Sequence, residues 1–237
     1  MTSARADSAK KFDSARAGEY AQQSRIALAG YDACHELAAC MLAAELGSGR
    51  AAKILVAGAG GSGQEILTSA PLEARWSFVA VDPSEPMLAT AMRGVEEAGL
   101  LARVEAKLGV IDDLPDVQAF DAATLIGVLH HLSGDEAKRA ILSSIATRLK
   151  PGAPLILAGN RYAYASQPLL LKAWGERWRM NGATPDEVQA KLGKILQGAD
   201  PPHSDADVAK LLEGAGFSAP LQFFSSLFWG AWIARKN

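Results

Sequence analysis

Charge of either sign is not in excess in this chain: 24 Lys and Arg against 26 Asp and Glu leave a formal net charge of −2 over 237 residues. A protein that grips nucleic-acid phosphates normally carries a basic patch and a raised pI, so no nucleic-acid partner is expected and a small-molecule substrate is the default. Long apolar runs are missing too. No stretch approaches the ~18 apolar residues of a membrane span, and Met1 to Lys11 is rich in Ser, Ala and charge, without the apolar segment of a secretory signal. A cytoplasmic protein with no membrane association is the expectation. Cysteine is scarce. Cys34 and Cys40 lie six apart in an alanine-rich helical stretch, which suggests neither a disulfide framework nor a metal pair, and both read as core thiols. H-E-x-x-H, C-x-x-C and Walker sequences do not occur, so no metal is expected and a nucleoside-triphosphate mechanism has no footing.

What is present is enough apolar side chain, 49% of residues, to bury one sizeable core. Phe12 to Leu46 reads as helices, with Leu37, Met41 and Leu42 on one face and Gly47 to Gly49 as a stop. From Lys53 onward, short apolar runs alternate with amphipathic helices: Lys53 to Ala57, Phe78 to Val81, Val104 to Leu108, Ala122 to Ile126 and Pro154 to Ala158. Strands spaced by helices predict a parallel sheet with right-handed crossovers. Lys150-Pro151-Gly152 closes the helix that begins near Asp135. Ser166 to Gly198 returns to helix as a rim insertion, with Trp174 and Trp178 four apart on one face. Ser204 caps a further helix ended by Gly214 and Gly216, ahead of strands around Leu221 to Phe224 and Phe228 to Ala234. The predicted division is residues 1–50 as an N-terminal helical lid and 51–237 as a catalytic domain with the insertion 166–198.

The segment Ile54-Leu55-Val56-Ala57-Gly58-Ala59-Gly60-Gly61-Ser62-Gly63 is an apolar strand running into a glycine turn and then a helix. Glycine lets a backbone turn sharply and approach a ligand closely. The turn satisfies G-x-G-x-x-G, a pattern that an ordinary tight turn also satisfies. The second strand ends in Asp82, 22 positions after Gly60. A carboxylate at that spacing is placed to accept both ribose hydroxyls of an adenosine ligand, a demand shared by NAD and by S-adenosylmethionine (SAM).

Three further stretches distinguish the two cofactors: Val81-Asp82-Pro83-Ser84-Glu85-Pro86-Met87-Leu88, Phe120 to Leu132 with Gly127 and His130-His131, and Leu149-Lys150-Pro151-Gly152 to Leu157. Together with the glycine turn they resemble the motifs of class I SAM methyltransferases, from Lys53 to about Gly159. The resemblance implies an α/β fold, a doubly wound Rossmann-like seven-stranded mostly parallel sheet with helices on both faces. It implies that Gly58, Ala59 and Gly60 meet the amino-acid portion of SAM, that Asp82 with Pro83 holds the ribose, and that Met87, Val110, Ile111 and Ile126 flank the adenosine. Two departures stand out. The acidic residue that the family usually carries before the glycines is replaced by Val56-Ala57, so the SAM ammonium needs another partner, and Val110 stands where many relatives have an adenine-contacting Asp, with Asp112 and Asp113 just beyond.

The ends of the chain are similar to the carboxy-SAM synthase subfamily: Phe12-Asp13, Ala17, Tyr20, Arg25, Gly30-Tyr31 and Met41 to Ala43 at one end, Arg179-Met180-Asn181-Gly182 on the rim, and Glu213 to Ala234 at the other. That similarity implies SAM contact by Tyr31 and carboxylate binding by Arg179, whose planar fork suits a carboxylate. The tyrosine that follows the Asn-Gly in that subfamily is absent here, with Ala183 and Thr184 in its place. A solvated helix charge is the competing reading of Arg179, and core packing that of Trp174 and Trp178. Tyr20 and Tyr31 are candidates to face a sulfonium by cation–π attraction. His130-His131 begins the helix after the fourth strand and reads as packing or cleft lining. Asn160, at the end of the fifth strand, is either a ligand-orienting amide or a turn residue.

Four functions fit these residues. Methyl transfer from SAM to a small acceptor comes first, with Tyr20, Tyr31, Asn160 and Arg179 as candidate catalytic residues. The alternative takes SAM as sole substrate, its amine closing azetidine-2-carboxylate with release of methylthioadenosine. A NAD-dependent reductase and a non-catalytic SAM-binding module remain from other classes.

Overall fold

A computed structural model describes residues 14–237, with side chains from Ala21 onward. Seven strands form one sheet: β1 (Ala52–Ala57), β2 (Trp76–Asp82), β3 (Val104–Leu108), β4 (Ala122–Ile126), β5 (Pro154–Asn160), β6 (Leu221–Ser226) and β7 (Trp229–Arg235). Their order is β3-β2-β1-β4-β5-β7-β6. The first five strands run parallel, while β7 pairs antiparallel with both β5 and β6. Chain order reverses between β1 and β4, which opens a crevice at the carboxyl edge of the sheet.

The central strands β1, β2, β4 and β5 are almost uninterrupted apolar runs because both of their faces are covered. Ile54 and Val56 point into one core with Phe78, Ala122, Ile156, Ala158, Ala231 and Ile233. Leu55 and Ala57 point into the other with Val79, Leu125, Leu155, Leu157 and Trp232. The strand period of two thus sorts each strand between two layers. Helix α2 (Tyr31–Leu46) covers the first core through Cys34, Ala38 and Leu42. Helices α5 (Gly134–Arg148) and α8 (Asp205–Gly214) cover the second through Leu142, Ile145, Leu211 and Leu212. Edge strand β3 is mostly exposed and carries the Glu105–Lys107 ion pair, charges that discourage pairing with another sheet.

The helices outside these layers build the rim. Helix α1 (Ser14–Ala27) meets α2 at Gly30, whose φ of 83° is the left-handed conformation that glycine adopts freely. Helices α3 (Gln64–Ser69) and α4 (Glu85–Glu97) follow β1 and β2. Helices α6 (Pro168–Met180) and α7 (Pro185–Gly198) occupy the expected insertion. Local sequence sets α7: Pro185 sits in its first turn, and Thr184 and Glu187 form a reciprocal capping box. Trp174 Nε1 donates to the Ala27 carbonyl at 2.6 Å, and Arg177 Nη2 to the Arg25 carbonyl at 3.0 Å, so α6 holds the last turn of α1.

Three local expectations are corrected. Cys40 is exposed and only Cys34 is buried, because the helix turns Cys40 away from the sheet. Leu37 is likewise 42% exposed, off the face that Leu42 buries. His130 and His131 lie in a short 3-10 turn, Leu129–His131, and the following helix starts only at Gly134, whose φ is 74°.

Candidate active site

The glycine turn is shaped by what it must avoid. At Gly58, with φ 71°, a Cβ would run into Val128. At Gly60 it would lie 2.6 Å from Asp82 Oδ2 and 2.6 Å from Met87 Cβ. Either substitution would therefore displace neighbours that line the crevice. Gly60 N–H donates to Asp82 Oδ2 at 2.9 Å, and Ser84 N–H to Asp82 Oδ1 at 2.8 Å. Each carboxylate oxygen has two acceptor directions, so one on each is still available after these bonds. Burial pushes the Asp82 carboxyl up, and the Ser84 and Gly60 N–H groups oppose it.

Asp82, Pro83, Met87, Ile126, Gly58 and Gly60 border a recess of about 90 Å3. It adjoins a cavity of about 430 Å3 that shares Gly58, Gly60 and Ile126 and runs under α1, α6 and α7. Ala59 is buried in the core layer behind the turn. Ile111 is buried and Val110 partly so, but neither borders these cavities, and Val110 N–H is taken by Asp113 Oδ2 at 2.9 Å.

On one wall of the larger cavity stand Tyr31, His35, Ser62 and Glu65. Tyr31 Oη is 2.7 Å from Ser62 Oγ, with the Arg25 guanidinium 4.7 Å and the His35 ring 4.3 Å from its ring centroid. His35 Nδ1 is 2.9 Å from the Tyr31 carbonyl, so that nitrogen carries a hydrogen and Nε2 does not when the ring is neutral. Glu65 is raised above the usual carboxylate range chiefly by burial, Asp82 adding to this and His35 opposing it.

The opposite wall is aromatic: Tyr164, Trp174, Trp178 and Trp229, with His130 and Asn160 between them and the sheet. Asn160 is the last residue of β5 and is 6% exposed. Its Nδ2 donates to Tyr164 Oη at 2.8 Å, while its Oδ1 has no hydrogen-bond partner among the described residues. Burial pushes the Tyr164 hydroxyl up to about 12. Burial also holds His130 well below the usual imidazole value, His131 and Lys138 adding to the effect, so the ring is neutral at pH 7. Register opposes Asn160 to Trp229, and Arg161 fixes the pair from behind: it is 3.0 Å from Asp205 and donates to the Trp229 carbonyl and Ser225 Oγ.

The sequence-predicted residues are thus partly assembled. Gly58, Gly60, Asp82, Pro83, Met87, Ile126, Tyr31 and Asn160 border the two cavities, and Trp174 and Trp178, read as core, border them as well. Arg179 does not. It is exposed near the end of α6 and pairs with Glu176 at 2.9 Å, because the cavity face of that helix is the one bearing Trp174 and Trp178. The Tyr20 side chain and Phe12-Asp13 lie outside the described residues. Sequence reasoning passed over Glu65, His35, Lys194 and Trp229. The four-residue spacing of Tyr31 and His35 on one helix face was the available signal for one of them. Among the described residues no group of three or more His, Cys, Asp or Glu is placed to hold a metal ion, and no single helix is long and apolar enough to cross a membrane.

Residues 55–155 match a family model described as a methyltransferase domain. No curated protein matches the chain. Among solved structures, a putative O-methyltransferase from Nostoc punctiforme is 17% identical, with a TM-score of 0.62 over 85% of this chain and 55% of that one. The N,N-8-amino-8-demethyl-D-riboflavin dimethyltransferase of Streptomyces davawensis is 20% identical, with a TM-score of 0.56 over 80% and 50%. Human N-acetylserotonin methyltransferase, solved with SAM, is 18% identical, with a TM-score of 0.54 over 78% and 47%. The chain spans about half the length of these structures. Over residues 55–155 it therefore matches a methyltransferase domain, and as a whole it has the Rossmann-like α/β fold of the methyltransferases it resembles.

Proposed function

We propose that this chain is a SAM-dependent methyltransferase acting on a small-molecule acceptor. The observation that carries the proposal is the Asp82 carboxylate, anchored by the Gly60 and Ser84 N–H groups at the crevice, with one acceptor direction left on each oxygen for a ribose diol. The tight cradle at Gly58 and Gly60 fits the same ligand, since a Cβ at either would meet a residue of the crevice border. Pro83 and Met87 then flank the adenosine, with Ile126 beneath it. Glu65 supports the reading at the other end of the ligand. It stands half-buried on the cavity wall beside the glycine turn, where a carboxylate withdrawn from water lowers its cost by meeting a cation, and the α-ammonium of SAM supplies one in place of the family's missing strand acid.

SAM brings a methyl group on a sulfonium, which is already an activated leaving group. The protein's own contribution is to exclude water and align the acceptor. In this reading the N-terminal division, residues 1–50, closes over the cavity through α1, while the insertion 166–198 of the catalytic division, residues 51–237, supplies Trp174 and Trp178 of the aromatic wall. Tyr31 closes the lid side through its bond to Ser62, and Asn160 orients the acceptor from the sheet.

The test is incubation of the protein with SAM alone and with a mixture of small nucleophilic acceptors, followed by mass spectrometry. SAM should bind, and S-adenosylhomocysteine should form only when acceptors are added. Methylthioadenosine from SAM alone would replace methyl transfer by cyclisation to azetidine-2-carboxylate, preferential binding of NADH would make the protein a reductase, and tight SAM binding with no product would reduce it to a binding module.

A further inference from the structure

The far half of the larger cavity presents a set of unmet demands. Its wall is formed by the rings of Tyr164, Trp174, Trp178 and Trp229, and three of these are already locked. Tyr164 and Trp174 pack on Phe228 with centroids 5.0 and 5.3 Å away, and Trp229 meets His130 edge-on at 5.5 Å. Rigid aromatic faces favour a flat ligand, which stacks without ordering flexible side chains. The polar atoms of this wall are unmatched. Trp178 Nε1 and Trp229 Nε1 are buried donors without an acceptor, and Asn160 Oδ1 is a buried acceptor without a donor, among the described residues. A buried polar group left unpaired is costly, and each of these three asks for a partner of defined type. The charges of the cavity are also divided. Glu65 stands by the glycine turn, whereas Lys194 stands beside Ile195 on α7, which packs with the Tyr164 and Trp174 cluster. Lys194 makes no hydrogen bond or ion pair with any described residue.

We propose that this half of the cavity binds a planar hydroxylated aromatic carboxylic acid, its ring against the tryptophan wall, its hydroxyl donating to Asn160 and its carboxylate paired with Lys194. The two indole N–H groups supply donors to the ligand's oxygens. As the identity of the methyl acceptor this rests on the methyl-transfer reading, but as a binding site it stands on the cavity alone.

Four probes separate its parts: 4-hydroxybenzoate, 4-hydroxybenzyl alcohol without the charge, benzoate without the hydroxyl, and trans-4-hydroxycyclohexanecarboxylate without the flat ring. Binding is followed by tryptophan fluorescence and calorimetry on the full chain, with and without S-adenosylhomocysteine. 4-Hydroxybenzoate should bind tightest and each simplified probe about tenfold or more weaker, the scale of one good polar or stacking contact. Lys194→Gln, at an exposed position, should weaken 4-hydroxybenzoate about tenfold and leave the alcohol unchanged. Equal binding of the four probes, binding of none, or an equal loss for acid and alcohol in the variant overturns the inference. If the probe series behaves as expected while S-adenosylhomocysteine fails to bind, the methyl-transfer reading falls and this site stands; the reverse result removes this site alone.

Discussion

In the proposed function two carboxylates, Asp82 and Glu65, take the adenosine and amino-acid ends of SAM respectively, and their substitutions should separate in measurement. Asp82→Ala removes the acceptor of two backbone N–H bonds and of the proposed diol. Hydrogen bonds to charged groups contribute about 1.5–3 kcal/mol each, so calorimetry should show SAM affinity reduced at least tenfold, with methylthioadenosine, which keeps the ribose, reduced equally. Glu65→Gln should instead weaken SAM by about tenfold while leaving methylthioadenosine unchanged, since that nucleoside has no ammonium. Equal losses for both ligands in the Glu65 variant would move that carboxylate away from the amine. Asp82 was legible in the sequence because it terminates an apolar strand at a fixed distance from a glycine turn, and both signals are local. Glu65 was not, because its candidacy comes from its place on the cavity wall with Tyr31 and His35 of another helix, a proximity made by the packing of α2 on α3 and not by local sequence. Arg179 shows the opposite case. Its chemistry suits a carboxylate, but a helix has several faces, and only packing shows that the tryptophans rather than the arginine face inward.

Among the elements, α1 depends on α6 more than on the sheet. The indole of Trp174 donates to the Ala27 carbonyl at the end of α1, where helix carbonyls lack partners of their own. Trp174→Phe keeps most of the apolar contact with Phe228 and Tyr164 but removes this donor. It should cost about 1–2 kcal/mol of stability and speed amide hydrogen exchange in α1 and its junction with α2, while β1 to β5 keep their protection. Unchanged exchange in α1 would show that the helix is held by its other contacts. Element order was readable from composition: β1, β2, β4 and β5 are apolar runs alternating with helices, as a two-faced parallel sheet requires. The antiparallel insertion of β7 between β5 and β6 was not, because nothing local in Trp229–Arg235 states which neighbours it will find. Trp229 consequently went unnoticed as a site residue.

For the molecule as a whole, acid sensitivity should trace to a buried imidazole. The folded-state value of His130 lies well below the ordinary 6.5, with burial the main cause. In the unfolded chain the same ring takes up a proton at about pH 6.5. Its contribution is therefore fully present above that pH and is lost as pH falls from about 6.5 toward the depressed folded value. Denaturant unfolding between pH 7.5 and 5.5 should show stability declining on the acid side, and His130→Gln should flatten that decline. A variant with the parental pH slope would assign the sensitivity to other groups.

The antiparallel pairing of Asn160 with Trp229 carries a consequence for biosynthesis. The strands that carry the crevice floor and glycine turn, β1 to β5, precede β7 in the chain, yet the chamber beside them lacks its Trp229 side until β7 has emerged from the ribosome. Nascent chains stalled before that point should hold the proposed nucleoside pocket open on its acceptor flank, so selectivity for a second substrate would be acquired later than nucleoside binding.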